Sequence, residues 1–162
     1  MEQQDFILQD NSPITFSRFD EIFNQLMSKT WEYNGLFYNL KELGWSWGYS
    51  NKKRSLGTAY GGRRRIEISK ALLSVNLDKN PKKFEDTIRH EIAHAIDNII
   101  RGHSGHDYPW QQIAIHLGAI PSTGHAKIES APVKWSGICP NGHSYSRHRI
   151  TKRSLNSAAC TK

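Results

Sequence analysis

One stretch of this chain, residues 81–101, restricts its fold more than any other. Its apolar residues repeat with the period of a helix, while a separate face carries His90-Glu91-Ile92-Ala93-His94. Phe84, Ile88, Ile92, Ala95, Ile96 and Ile99 recur at spacings of three and four. Asn80 followed by Pro81 offers a capping side chain and a first-turn proline, and Gly102 offers the stop. With Phe84 at zero on a helical wheel, the apolar stripe spans roughly 0–120°, and the histidines fall at about 240° and about 280°. A core-facing stripe and an imidazole pair therefore occupy different faces. Glu91 lies about 100° on from His90, where a carboxylate reaches a metal-bound water and not the metal. Two ligands, a base and an open coordination position are the minimum for metal-assisted hydrolysis.

Three protein ligands are usual for a catalytic zinc, so a third is sought downstream among His103, His106, His116, His125 and Glu129. The metzincin spacing requires a histidine at position 100, which is Ile100. A glutamate from a later helix would have to be Glu129, but Pro121, Gly124 and Pro132 bracket it and no helical pattern surrounds it. Gly102-His103-Ser104-Gly105-His106 is a turn with two imidazoles, followed by Asp107 as a cap and Pro109 in the first turn of a short helix. That helix turns Trp110, Ile113, Ala114 and Leu117 inward. Spacing alone leaves His103 and His106 equivalent. Asp97, one turn after His94, is either a group that orients an imidazole or a surface carboxylate.

Elsewhere, residues 1–12 read as a polar lead-in, and Phe16, Phe19, Ile22, Phe23, Leu26 and Trp31 set an amphipathic helix from Pro13 to about Tyr33. Gly44 to Ser50 alternates as a strand with Trp45, Trp47 and Tyr49 on one face. That face reads as core, the alternative being a stacking surface for single-stranded nucleic acid. Leu56 to Tyr60 and Arg64 to Ile68 are two further short strands around the Gly61-Gly62 turn, Ser69 caps a short helix through Leu72 and Leu73, and residues 76–80 form a linker. The expected architecture is antiparallel strands beside a helical metal site, with an edge strand able to pair with an extended substrate.

The net charge of +7 collects in Lys52-Lys53-Arg54, Arg63-Arg64-Arg65, Lys82-Lys83, Arg147-His148-Arg149 and Lys152-Arg153. Such clusters attract phosphate backbones by counterion release, so DNA or RNA is an expected partner beside protein substrates. No run is apolar enough for a membrane span, the acidic start is not a secretory pattern, and two cysteines make no disulfide framework. The expected location is cytoplasmic, with DNA association.

The separated pieces, taken in order, resemble the SprT-like zinc metalloprotease family. Trp45 to Gly57, then Arg65-Ile66-Glu67-Ile68-Ser69 and Leu72-Leu73, are similar to its strand, glycine turn, strand and short helix. Phe84 to Ala95 resembles its metal helix. Gly105-His106-Asp107-Tyr108-Pro109-Trp110 resembles its glycine-histidine segment, with an aromatic four residues after the ligand. The resemblance covers residues 20–120, and its register selects His106 over His103. It implies an α+β, zincin-like metalloprotease domain over residues 13–121. His90, His94 and His106 would hold one zinc, with Glu91 as the catalytic base that activates a zinc-bound water for peptide hydrolysis, in a family often linked to proteins on DNA.

After Ser122, Ile138-Cys139-Pro140-Asn141-Gly142-His143 and Cys160 resemble the zinc ribbon that follows the protease domain in this family. No second cysteine stands three residues after Cys139, and His143 or His148 would still leave the ligand set one short. Residues 122–162 therefore read as a degenerate, incomplete ribbon that holds no second zinc tightly. The rival to an enzyme is a non-catalytic zinc-containing nucleic-acid-binding protein. Glu91 distinguishes them, since a structural site has no use for it.

Overall fold

The computed structural model describes residues 14–77, 81–121, 131–138, 141–147, 149 and 151. Two compact units divide the chain, Met1–Glu129 and Ser130–Lys162.

In the first unit, α1 (Phe16–Ser28) starts where Thr15 Oγ1 accepts from the Arg18 N–H at 3.2 Å, and it buries Phe19, Ile22, Phe23, Leu26 and Met27. The expected continuation of this helix to Tyr33 is corrected. The chain instead turns into a hairpin of β1 (Thr30–Tyr33) and β2 (Leu36–Asn39). The physical reason is the Asn34-Gly35 pair, whose φ angles of 52° and 74° are those of a tight two-residue hairpin turn. Trp31 satisfies the helical spacing but belongs to the strand; its indole folds back, buried, with Nε1 donating to the Leu26 carbonyl at 3.2 Å.

Three strands make the central sheet: β3 (Ser46–Ser50), β4 (Gly57–Tyr60) and β5 (Arg65–Ser69), in the order β3-β5-β4. The antiparallel sheet expected from the sequence is corrected to a mixed one. β4 and β5 are antiparallel, but β3 runs parallel to β5. The strand with the fully buried pair Ile66 and Ile68 takes the centre, which pushes β3 and β4 to opposite edges. Trp47 and Tyr49 pack on α1 as core: the Trp47 ring stacks on Phe23 at 4.1 Å, its Nε1 donates to Asn24 Oδ1 at 2.9 Å, and the Tyr49 hydroxyl donates to Asp20. Ser69 then caps α2 (Lys70–Ser74) by accepting from the Leu72 N–H at 3.1 Å.

Helix α3 (Pro81–Arg101) buries Phe84, Ile88, Ile92, Ala95 and Ile96 as its periodicity requires, whereas Ile99 at the far end is exposed. Asn80, the expected cap, lies outside the described residues. Gly102 stops the helix with φ 77°, its N–H bonded to the Asn98 carbonyl at 2.9 Å. The buried surface of α3 is wider than its apolar stripe, because Glu85, Arg89 and Asp97 are also enclosed. Arg89 donates to Glu85 Oε1 at 2.8 Å and 3.2 Å and to the Leu117 carbonyl at 2.7 Å, tying α3 to the end of α4 (Tyr108–His116).

In the second unit, β6 (Trp135–Ile138) and β7 (Ser144–Arg147) pair antiparallel, with Gly142 at φ 82° between them. Cys139, His148 and Cys160, on which the ribbon reading rests, lie outside the described residues. Among the described residues no helix is long and apolar enough to cross a membrane.

Candidate metal centre

Helical geometry places His90 and His94 one turn apart on α3, and the loop after Gly102 brings His106 back to them. The three Nε2 atoms form a nearly equilateral triangle: 3.1 Å from His90 to His106, 3.2 Å from His94 to His90, and 3.2 Å from His94 to His106. Three imidazole lone pairs converging on one point repel each other unless a cation lies between them. The edge of a tetrahedron with metal–nitrogen bonds of about 2.0–2.1 Å is roughly 3.3 Å, so the triangle has the dimensions of three corners of such a site. The donor set fits a divalent ion. His103 is exposed and is not part of this group.

The surroundings hold the rings in place. Trp110 is fully buried and lies against all three, stacked on His94 at 4.7 Å with an interplanar angle of 19° and edge-on to His90 at 4.7 Å and His106 at 4.6 Å. Ser104 Oγ lies 2.7 Å from His94 Nδ1; with Nε2 turned into the triangle as a ligand atom, the ring proton would sit on Nδ1 and the serine oxygen would accept it. Burial, helped by the neighbouring His90 and His106, lowers the His94 pKa to about 3, so the ring stays neutral and competent as a ligand.

Glu91 leaves the triangle on the side of the sheet. Only 5% exposed, it is pushed up by burial to a pKa of about 8, although the Ala59 N–H and the Lys52 ammonium act in the opposite direction. The approach of helix to strand depends on small residues. A Cβ on Gly57 would lie 2.5 Å from Glu91 Oε1, and one on Gly61 would lie 2.2 Å from the Asn98 side chain. β4 is an edge strand among the described residues; its Ala59 N–H is bonded to Glu91, and its Gly57 carbonyl accepts from the Ser55 and Thr58 hydroxyls.

Asp97, for which the sequence offered an imidazole partner or a surface carboxylate, is neither. It is buried and takes a two-pronged hydrogen bond from Arg101 at 2.6 Å on each oxygen. Ser104 and Gly57 were not anticipated. Neither has a local signal, because each matters only once the loop or the strand is folded against α3. The alternatives His125 and Glu129 lie outside the described residues.

Three imidazoles and a buried carboxyl, supplied by a His-Glu-x-x-His helix and the loop behind it, define a metal-centre domain of metalloprotease type. The chain belongs to the SprT-like family, whose family model matches residues 19–131. Comparison with curated proteins and with solved structures finds no match.

Proposed function

We propose that the protein is a zinc-dependent metalloendopeptidase, and the convergence of His90, His94 and His106 beside Glu91 is the observation that carries this reading. The three Nε2 atoms would hold the ion, and zinc bound there would supply Lewis acidity toward a water and the scissile carbonyl. Glu91 accepts the proton of the attacking water and delivers it to the departing amine. Burial raises the Glu91 pKa in the metal-free protein, and a cation held at the triangle would draw it down toward the ionised form that can accept a proton. The Ala59 N–H that bonds Glu91 comes from β4, so the strand that would pair with an extended substrate also orients the base.

Support for polyanion binding comes from Lys52-Lys53-Arg54 and Arg63-Arg64-Arg65, which lie on the segments flanking β4. Lys52 Nζ and the Arg63 guanidinium both lie over the Tyr60 ring, at 4.7 Å and 4.2 Å. Proteins bound to DNA are accordingly the proposed substrates, and the non-catalytic nucleic-acid-binding reading shares these same clusters. Metal analysis and a peptide-hydrolysis assay with and without single-stranded DNA separate the two. Glu91→Gln should keep one zinc per chain and lose hydrolysis, and His106→Ala should lose stoichiometric zinc. A zinc-loaded wild-type protein that cuts nothing under either condition would leave the binding reading in place of the enzyme.

A further inference from the structure

His106 reaches the metal triangle from a loop with little to hold it. Residues 102–107 contain two glycines, and Gly102, His103, Ser104, His106 and Asp107 are all exposed. A loop of this kind keeps a ligand in register only through specific tethers. Gln111 holds the backbone on the far side of the ligand, its Nε2 donating to the His106 carbonyl at 3.1 Å and its N–H to the Asp107 carbonyl at 3.0 Å, and Ser104 touches His94. The Asp107 side chain is held by Arg101.

Its Nε and Nη2 donate to Asp97 Oδ1 and Oδ2, both at 2.6 Å, and its Nη1 and Nη2 donate to Asp107 Oδ2 and Oδ1, both at 2.8 Å. Both edges of the planar guanidinium are thus occupied, which fixes orientation as well as distance. Burial falls outward along the chain of charges: the Asp97 side chain is 0% exposed, that of Arg101 21% and that of Asp107 49%. Asp97 is therefore the anchor on the rigid helix, and Asp107, bonded directly to His106 in sequence, is the arm that is held.

We propose that Arg101 is a positioning residue for the third ligand, bracing the loop against α3 so that His106 Nε2 stays at the triangle. This rests on the metal reading above. It predicts that loss of the half-exposed Asp107 arm acts on metal affinity and not chiefly on folding, whereas an Arg101 variant also takes the cation from the buried Asp97 carboxylate.

The experiment is zinc titration of the full chain against a competing chelator, with the visible absorption of the cobalt-loaded protein as a second readout. Arg101→Gln should weaken zinc binding 10–100-fold, the range found when groups supporting metal ligands are removed. Its cobalt bands should lose tetrahedral intensity. Asp107→Asn should weaken binding in the same direction while the melting temperature of the metal-free protein stays near that of wild type. Arg101→Lys should recover only part of the loss, because one ammonium cannot occupy both carboxylate forks. Unchanged zinc affinity in both Arg101→Gln and Asp107→Asn would overturn the proposal. If Arg101→Gln does not fold, Asp107→Asn decides by the same measurements, because it leaves the Asp97–Arg101 pair intact. Wild-type protein that binds no zinc would overturn the metal reading and this inference together, whereas tight wild-type binding with indifferent variants overturns this inference alone.

Discussion

Gly57 on β4 lies directly against the carboxyl of Glu91 on α3, so close that a methyl group there would sit 2.5 Å from Oε1 and 2.7 Å from Cγ. The position needs glycine for space and not for backbone freedom. Strand and helix are pressed together at the proposed base.

Gly57→Ala should therefore move Glu91 without touching the imidazoles. The expected outcome is a fall in kcat on the order of 100-fold, the scale of an ångström-sized misplacement of a catalytic group, with one zinc per chain retained. Parallel metal analysis and peptide-hydrolysis kinetics check this, and loss of zinc together with activity would contradict it.

The raised pKa of Glu91 gives a pH signature in the metal-free protein. The folded-state value of about 8 lies above the ordinary 4.5, so folding favours the protonated acid. The associated stability is complete below about 4.5 and is lost as pH rises through about 8. Glu91→Gln cannot ionise and should lose none of it. Thermal melts of both metal-free proteins should nearly coincide at pH 5, and the variant should be the more stable at pH 9. A difference that stays constant across that range would show that Glu91 does not ionise as described.

Ser104→Ala removes the hydroxyl that orients His94. Zinc affinity should fall about 10-fold, at the low end for partners of metal ligands, with the fold unchanged because Ser104 is exposed. Titration against a chelator and far-ultraviolet circular dichroism suffice to test it.

Arg89→Ala removes the guanidinium that donates twice to the enclosed Glu85 carboxylate. The expected cost is about 3–5 kcal/mol of unfolding free energy by denaturant titration, whereas Glu85→Leu with Arg89→Met should recover most of it. A double variant as unstable as the single one would mean that the Leu117 carbonyl contact, and not the ion pair, dominates.

The sequence made α3 legible because two signals agreed there: apolar residues at helical spacing and a pair of histidines on a different face. The third ligand was less accessible. Spacing could not separate His103 from His106, and only the register to Trp110 chose between them. The structure adds the physical sense of that register, since Trp110 is the surface on which all three rings rest. Where the reading went wrong, a local pattern was true but incomplete. Trp31 fits the spacing of α1, yet the Asn34-Gly35 turn claims it for a hairpin. The strands around Gly61-Gly62 do form a hairpin, but nothing local reveals that β3 lies along the far side of β5 and parallel to it. Charged residues inside α3 were hidden for a different reason. Glu85, Arg89 and Asp97 look solvent-facing until their partners, some of them on distant segments, are known.

The triangle of Nε2 atoms and the brace that steadies it all lie between His90 and Asp107, one short uninterrupted passage of chain. The carboxyl's neighbours on β4 lie more than thirty positions upstream of that passage. On the proposed function, capture of the ion is thus written locally, and turnover is written across the fold. Transplanting the passage onto an unrelated pair of helices should yield a protein that takes up metal and cleaves nothing.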